Sequence, residues 1–309
     1  MAKEDAMDLR PTSALPLAAV VLATATSCVQ AGGGNPTNEQ NVPGVIESTS
    51  SAVESASMNP QKLDDSVVFL MTTVSGYVLD PGEGDGDDVR ATEVTAVRTC
   101  TGWMAGEDGE IITAGHCVGR DEGRGALIAS YLDDNDVADE AALEAEVEIR
   151  VMAGQPDVDG ATITDWVTAW IADVMPFDQG DLALLRVDGL GSGPRPPVLA
   201  IAEDDPQPGD SVTSIGFPGA GADVSEEKAI QPPSFKSGTV STRRASPRGV
   251  EGYEIDADIS PGMAGGPIVD GSGRVVGVNS YAIRGGYQAF NVITGTSELR
   301  RFLARNGVG

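Results

Sequence analysis

The chain has 309 residues, 40% hydrophobic and 22% charged, enough to bury a sizeable core. Its 47 Asp and Glu against 20 Lys and Arg give a formal net charge of −27, which repels a phosphate backbone and argues against general nucleic-acid binding. A single His and three Cys exclude the usual His/Cys zinc sites, and 39 Gly with 19 Pro favour a turn-rich β fold over a helical one.

In chain order, residues 1–31 read as an export leader. The apolar run LPLAAVVLATA (15–25) follows Lys3 and Arg10 and is too short to span a bilayer. Two processing routes are open. Val29-Gln30-Ala31 offers a small-residue cleavage site, and Cys28, after Ala25-Thr26-Ser27, is a bacterial lipoprotein-type acceptor. Ala25, where a lipoprotein signal prefers Leu, favours cleavage after Ala31. The expected location is secreted or extracytoplasmic, with a lipid anchor to the cell envelope if Cys28 is used. Residues 32–64 are polar and rich in Ser and Gly and read as a disordered tether.

The character changes at Asp65, and residues 65–190 read as a first β domain. SVVFLMTTVSGYVL (66–79) is β-branched and aromatic, the composition of a strand. DPGEGDGDDVR is an acidic loop without the spacing of a calcium motif. ATEVTAVRTCTGWMAG, EDGE and IITAGHCV then predict a hairpin that sets Cys100 and Cys117 opposite each other at its base. With Cys28 removed or lipidated, these two form an even pair and a disulfide candidate in an exported protein. A short helix is expected in DDNDVADEAALEAE (133–146), with strands at EVEIRV, WVTAWIADV and DLALLRV. Trp103, Trp166 and Trp170 are expected to serve packing rather than ligand stacking.

Residues 191–293 hold further short strands, PVLAIA, SVTSIGF, SGTVSTRR, GYEIDAD, GPIVD, VVGVNSYAI and YQAFNVI, punctuated by Gly, Pro and Asp. Residues 294–309 carry SELRRFLARNG, an amphipathic helix stopped by Gly307.

Three strings carry chemistry: TAGHC (113–117), DLALL (181–185) and GMAGGP (262–267). Their order resembles the chymotrypsin/trypsin superfamily of serine proteases. EIDADISPGMAGGPIVDGSGRVVGVNSYAI and the upstream PQPGDSVTSIGFPG are similar to its HtrA-like (DegP-type) branch. The resemblance covers about Asp65 to Gly307, with no PDZ domain expected after it. It implies an all-β fold of two six-stranded Greek-key barrels with a C-terminal helix, and a site in the cleft between the barrels.

By the resemblance His116, the only imidazole available, is the base, and Asp181, 65 residues later, orients it. Asp178 is a rival orienter, disfavoured because Asp181 opens the apolar strand. The backbone N–H groups of Gly262 and Ala264 would form the oxyanion hole. Asp258, six residues before Ala264, falls where trypsin-like members carry a pocket carboxylate that selects Arg or Lys. Asn279, Ser280 and Tyr281 would line the substrate, their backbone pairing with an extended peptide. The pattern is broken at one place: the family's nucleophilic Ser is replaced by Ala264, and a methyl cannot attack a carbonyl. Ser260 and Ser272 are close in sequence but not at the turn apex.

The implied function is therefore a trypsin-like serine endopeptidase domain using Ser-His-Asp chemistry, inactive as written. The alternative is a natural pseudoprotease, an extracytoplasmic peptide-binding or scaffold module. No cofactor and no metal are expected. The expected partner is an extended polypeptide, with no nucleic acid, and with a membrane engaged only through a lipid anchor.

Overall fold

The computed structural model describes residues 60–81, 89–137, 140–156, 163–190, 195–219, 230, 232–245, 251–285 and 288–309, with the backbone alone at 60–61, 282–285 and 288–290. The leader, Cys28, most of the tether and most of the acidic loop after Asp80 lie outside the described residues. Among the described residues, no helix is long and apolar enough to cross a membrane.

A short helix, α1 (Pro60–Ser66), leads into β1 (Val67–Asp80), β2 (Arg90–Met104) and β3 (Glu110–Thr113). Helix α2 (Arg120–Asp134) intervenes before β4 (Glu144–Gly154), β5 (Val167–Met175) and β6 (Leu182–Arg186). These six strands close into one barrel in the order β1-β2-β3-β6-β5-β4. The second barrel follows: β7 (Ser211–Gly216), β8 (Ser234–Ala245), β9 (Glu251–Ile255), β10 (Pro267–Val269), β11 (Val275–Gly285) and β12 (Gln288–Gly295), closed as β10-β11-β12-β9-β8-β7. Helix α3 (Thr296–Arg305) ends the fold. All strand pairs within the ladders are antiparallel. This is the chymotrypsin-like architecture.

Each barrel is filled by its inward-facing aliphatic residues. Val68, Leu70, Ile111, Val151 and Leu185 pack in the first, and Val212, Val240, Ile255, Ile268 and Ile293 in the second. A third cluster joins the two: Phe69 and Trp103 from the first barrel meet Ile215, Phe217 and Val278 from the second, with Leu299 and Phe302 of α3. The Phe69 and Phe217 rings meet edge to face at 5.4 Å. Helix α3 reinforces the junction. Its buried face repeats at Leu299, Phe302 and Leu303, the spacing of one helical stripe. Asp205 receives the Ser297 N–H at 2.8 Å near its start, while Arg305 and Asn306 grip Asp173 of β5 at 2.7 and 2.8 Å.

Several local expectations are corrected. The α-helix between β3 and β4 is α2, which lies mostly upstream of the acidic segment 133–146 and ends at Asp134; among the described residues of that segment, the only further helical structure is a single 3-10 turn at Glu140–Ala142. The buried residues of α2, Gly123, Leu127 and Tyr131, are spaced four apart and pack against β1 and β4. The alternation of Glu144, Glu146 and Glu148 with Ala145, Val147 and Ile149 gives the rest to a strand. PVLAIA forms only one parallel bridge, Ile201 to Val275. Cys100 and Cys117 do not face each other across the hairpin, because the β2–β3 ladder spans only Trp103↔Ile112 and Met104↔Ile111. The chain then turns, and Cys117 approaches β2 from a 3-10 turn. Trp103 is fully buried, whereas Trp170 is 62% exposed on β5. Arg243 and Arg244 lie on β8, as the strand reading of SGTVSTRR expects, and pair with Glu251 and Glu254.

Candidate active site

His116 sits on the 3-10 turn Gly115–Cys117 that follows β3. The turn lies so close to the first barrel that a Cβ on Gly115 would fall 2.3 Å from the Met175 carbonyl oxygen, which reserves the position for glycine. Three further contacts fix it. Cys117 is bonded to Cys100 of β2, with the Cα atoms 6.3 Å apart. The His116 N–H donates to Asp181 Oδ1 at 2.8 Å. The Arg98 guanidinium of β2 donates to the His116 carbonyl oxygen and to that of Glu122 on α2, the latter at 3.2 Å. Burial pushes the Arg98 pKa down, partly offset by Glu122.

Asp181 precedes β6 in the left-handed region, φ +56°, which Asp tolerates better than most residues. Its carboxylate is 2% exposed and lies 3.1 and 2.9 Å from His116 Nδ1 through its two oxygens. Burial pushes the Asp181 pKa up, but hydrogen bonds from the His116 ring, that ring's charge, the Ser280 hydroxyl and the His116 amide outweigh it, and the net shift is downward. An ionised carboxylate only accepts, so Nδ1 carries the proton and Nε2 is left free to accept one. Asp178, the rival orienter, is exposed.

From the second barrel, Gly262, Met263, Ala264 and Gly265 form a tight turn with φ +92° at Gly262 and +83° at Gly265. Thr101 of β2 holds it from the first barrel. Its N–H donates to the Ala264 carbonyl at 2.9 Å, and its hydroxyl donates to the Gly262 carbonyl at 2.8 Å and accepts from the Phe217 N–H at 3.0 Å. A Cβ on Gly265 would fall 2.1 Å from Thr113 Oγ1 and 2.4 Å from the Thr101 carbonyl oxygen. Among the described residues, the N–H groups of Gly262 and Ala264 meet no acceptor, while those of Met263, Gly265 and Gly266 all do. The Cys117 sulfur lies 3.8 Å from His116 Nε2 and 4.0 Å from the Ala264 carbonyl oxygen, so ring and turn share a neighbour.

The residues expected to line a substrate separate. Ser280 donates its hydroxyl to Asp181 Oδ2, a contact from the second barrel that completes the carboxylate's shell. Asn279 is fully buried and turned into the fold. Tyr281 is partly exposed, its ring edge-on to Phe177 at 4.7 Å, and Asp258 is exposed. Strand β11 pairs with β10 only as far as Val278, so among the described residues its outer edge beyond Asn279 has no strand partner. Two serines near the turn, Ser272 and Ser280, are engaged by carboxylates. Ser272 donates its hydroxyl to Asp270 at 2.6 Å in the β10–β11 turn, and Ser280 is held by Asp181. Sequence reasoning missed Arg98 and Thr101, since neither belongs to a recognisable motif.

Cys100, His116 and Cys117 have ligand atoms within 4.8 Å of one another, the spacing of a metal site. Both sulfurs are spent in the disulfide and offer no thiolate.

The sequence model of the trypsin-like peptidase domain matches residues 100–278, from the disulfide cysteine of β2 into β11, and the chain belongs to that family. Two curated relatives are the serine proteases MT3772 and Rv3671c from two strains of Mycobacterium tuberculosis. Each is 32% identical over 108 residues, 35% of this chain. The match spans only 26% of the length of those relatives. The crystal structure of the active form of the Rv3671c protease superposes with a TM-score of 0.50 at 20% identity, covering 81% of this chain and 84% of that one, a likeness of fold.

Proposed function

We propose that this chain is an exported serine-endopeptidase domain whose cleft binds extended polypeptide, and that Ala264 stands where the nucleophile would be. The observation that carries the reading is the meeting of three parts: the buried Asp181–His116 pair, the Ala264 turn beside it, and two unpaired amides at that turn. In the working mechanism, a Ser at 264 would lose its proton to His116 Nε2. Asp181 would hold the ring in the right tautomer and stabilise its charged form, and the Gly262 and Ala264 amides would stabilise the oxyanion. The peptide would add along the free edge of β11, with Asp258 favouring a basic side chain. With Ala264 the cleft retains the parts that bind a carbonyl and lacks the one that breaks its bond. That favours the pseudoprotease form of the reading for the chain as it stands, a peptide-binding or scaffold module. The disulfide supports an oxidising, extracytoplasmic location.

The test is Ala264→Ser. The variant is expected to take a fluorophosphonate label and to cleave casein, with the label lost on His116→Ala. No labelling between mildly acidic and mildly alkaline pH would sink the endopeptidase reading. Titration of the Ala264 chain with extended peptides is expected to show saturable binding, and its absence would leave only a scaffold.

A further inference from the structure

Asn279 lies on β11 immediately before the irregularity between Asn279 and Tyr281, where the ladder to β12 shifts register. Its main chain clasps the 262–266 turn twice. The N–H donates to the Gly266 carbonyl at 2.9 Å, and the carbonyl accepts from the Gly265 N–H at 2.8 Å. Its side chain clasps the turn a third time: Nδ2 donates to the Met263 carbonyl at 3.2 Å and to Ser214 Oγ of β7 at 2.8 Å. Both amide protons are thereby used. The Oδ1 atom is buried and meets no donor among the described residues. An orphaned buried oxygen is destabilising, and a leucine of similar size would avoid it. Packing alone therefore does not account for an asparagine here; its two donors do.

A trans peptide is planar, and its C=O and N–H point in opposite directions. The Met263 carbonyl and the Ala264 N–H belong to one such plane. The carbonyl is drawn inward by the Gly266 N–H at 3.1 Å and by Asn279 Nδ2. The Ala264 N–H is consequently turned to the opposite side, where it meets no acceptor.

We infer that Asn279 is a positioning residue for the oxyanion site, aiming the Ala264 amide by holding the carbonyl on the far side of the same peptide plane. The inference rests on the endopeptidase reading of this turn. Asn279 does not touch the substrate; it acts through the Met263–Ala264 peptide, with Ser214 as its own anchor.

The experiment uses the full chain with Ala264→Ser, alone and combined with Asn279→Leu or Asn279→Asp. The first removes the donors together with the orphaned oxygen, and the second keeps the shape without the donors. Rates are normalised to fluorophosphonate-titrated sites, so that a smaller folded fraction does not count as a slower enzyme. Either substitution is expected to lower kcat about tenfold to hundredfold with KM within about twofold. Affinity for a peptide aldehyde, which forms an oxyanion, should fall in parallel, while affinity for the matching peptide alcohol should not. An unchanged kcat, or a rise in KM alone, overturns the inference. If Ala264→Ser alone neither labels nor cleaves, the endopeptidase reading fails, and the chain with Ala264 decides the positioning role. There, Asn279→Leu and Asn279→Asp should shift the Ala264 amide resonance while leaving those of Val276 and Val278 in place. An unmoved Ala264 amide overturns the inference.

Discussion

Thr101→Val is the most direct probe of how the two barrels hold the site together. The substitution is near-isosteric and removes only the hydroxyl, which donates to the Gly262 carbonyl and accepts from the Phe217 N–H. Both groups are buried, and neither has another hydrogen-bond partner among the described residues. An orphaned buried group costs about 1–3 kcal/mol, so two should cost about 3 kcal/mol, allowing for partial relaxation and the added methyl. That is a large share of a typical stability of about 5–15 kcal/mol. For a domain of this size it corresponds to a fall in Tm of roughly 6–12 °C. Urea unfolding followed by tryptophan fluorescence measures it, and Trp103, two residues from Thr101 and fully buried, reports on the junction itself. The midpoint should fall with an unchanged m-value, because the surface exposed on unfolding is the same. Thr101→Ser, which keeps the hydroxyl and loses a methyl, should cost only about 1 kcal/mol. A Thr101→Val stability within about 0.5 kcal/mol of the parent would refute the reasoning, since a surface change does no more than that.

Two other outcomes are expected. Alkylation and mass spectrometry of the protein purified without reductant should find no free thiol at Cys100 or Cys117, and replacing both with Ala should cost about 3 kcal/mol for a closed loop with a separation of 17 residues; two free thiols would refute the bridge. Asp181 has a folded pKa below its ordinary value, so its contribution is complete above about pH 4 and is lost as pH falls through the lowered value. Stability measured between about pH 2 and 6 should therefore drop more steeply for the parent than for Asp181→Asn; identical acid limbs would contradict the assignment.

The motifs TAGHC, DLALL and GMAGGP were legible because each is a local string whose chemistry travels with it. The strands were legible because β-branched residues alternate along them, and α3 because Leu299, Phe302 and Leu303 mark one helical face. Helix α2 was obscured by Gly123 and Gly125 within its first half, which weaken the local helical signal. The family resemblance implies that Asn279 and Ser280 line the substrate, and ordinary strand alternation would leave one of the two side chains facing outward. The register shift after Asn279 breaks that alternation and buries both. The Ser280–Asp181 contact spans 99 residues and the Thr101–Gly262 contact 161, separations across which no local pattern carries information.

The 64 residues between His116 and Asp181 do not displace the imidazole, because the stretch is anchored at its root. Arg98 binds the carbonyls of His116 and Glu122 together, so the histidine turn and the first turn of α2 share one cation. The disulfide ties the next residue, Cys117, to β2, and Gly115 leaves no room between the turn and the Met175 carbonyl. Asp181 takes both the amide and the ring of His116. None of these restraints involves the side chain at 264. Among the described residues, the ring is positioned by the first barrel and Ser280, and the amide turn is held by Thr101 and Asn279 together with its own Ser260–Met263 and Met263–Gly266 bonds. On the proposed endopeptidase reading, a hydroxyl introduced at Ala264 would meet a ring and a pair of amides already oriented, so its reactivity should not require the rest of the cleft to rearrange.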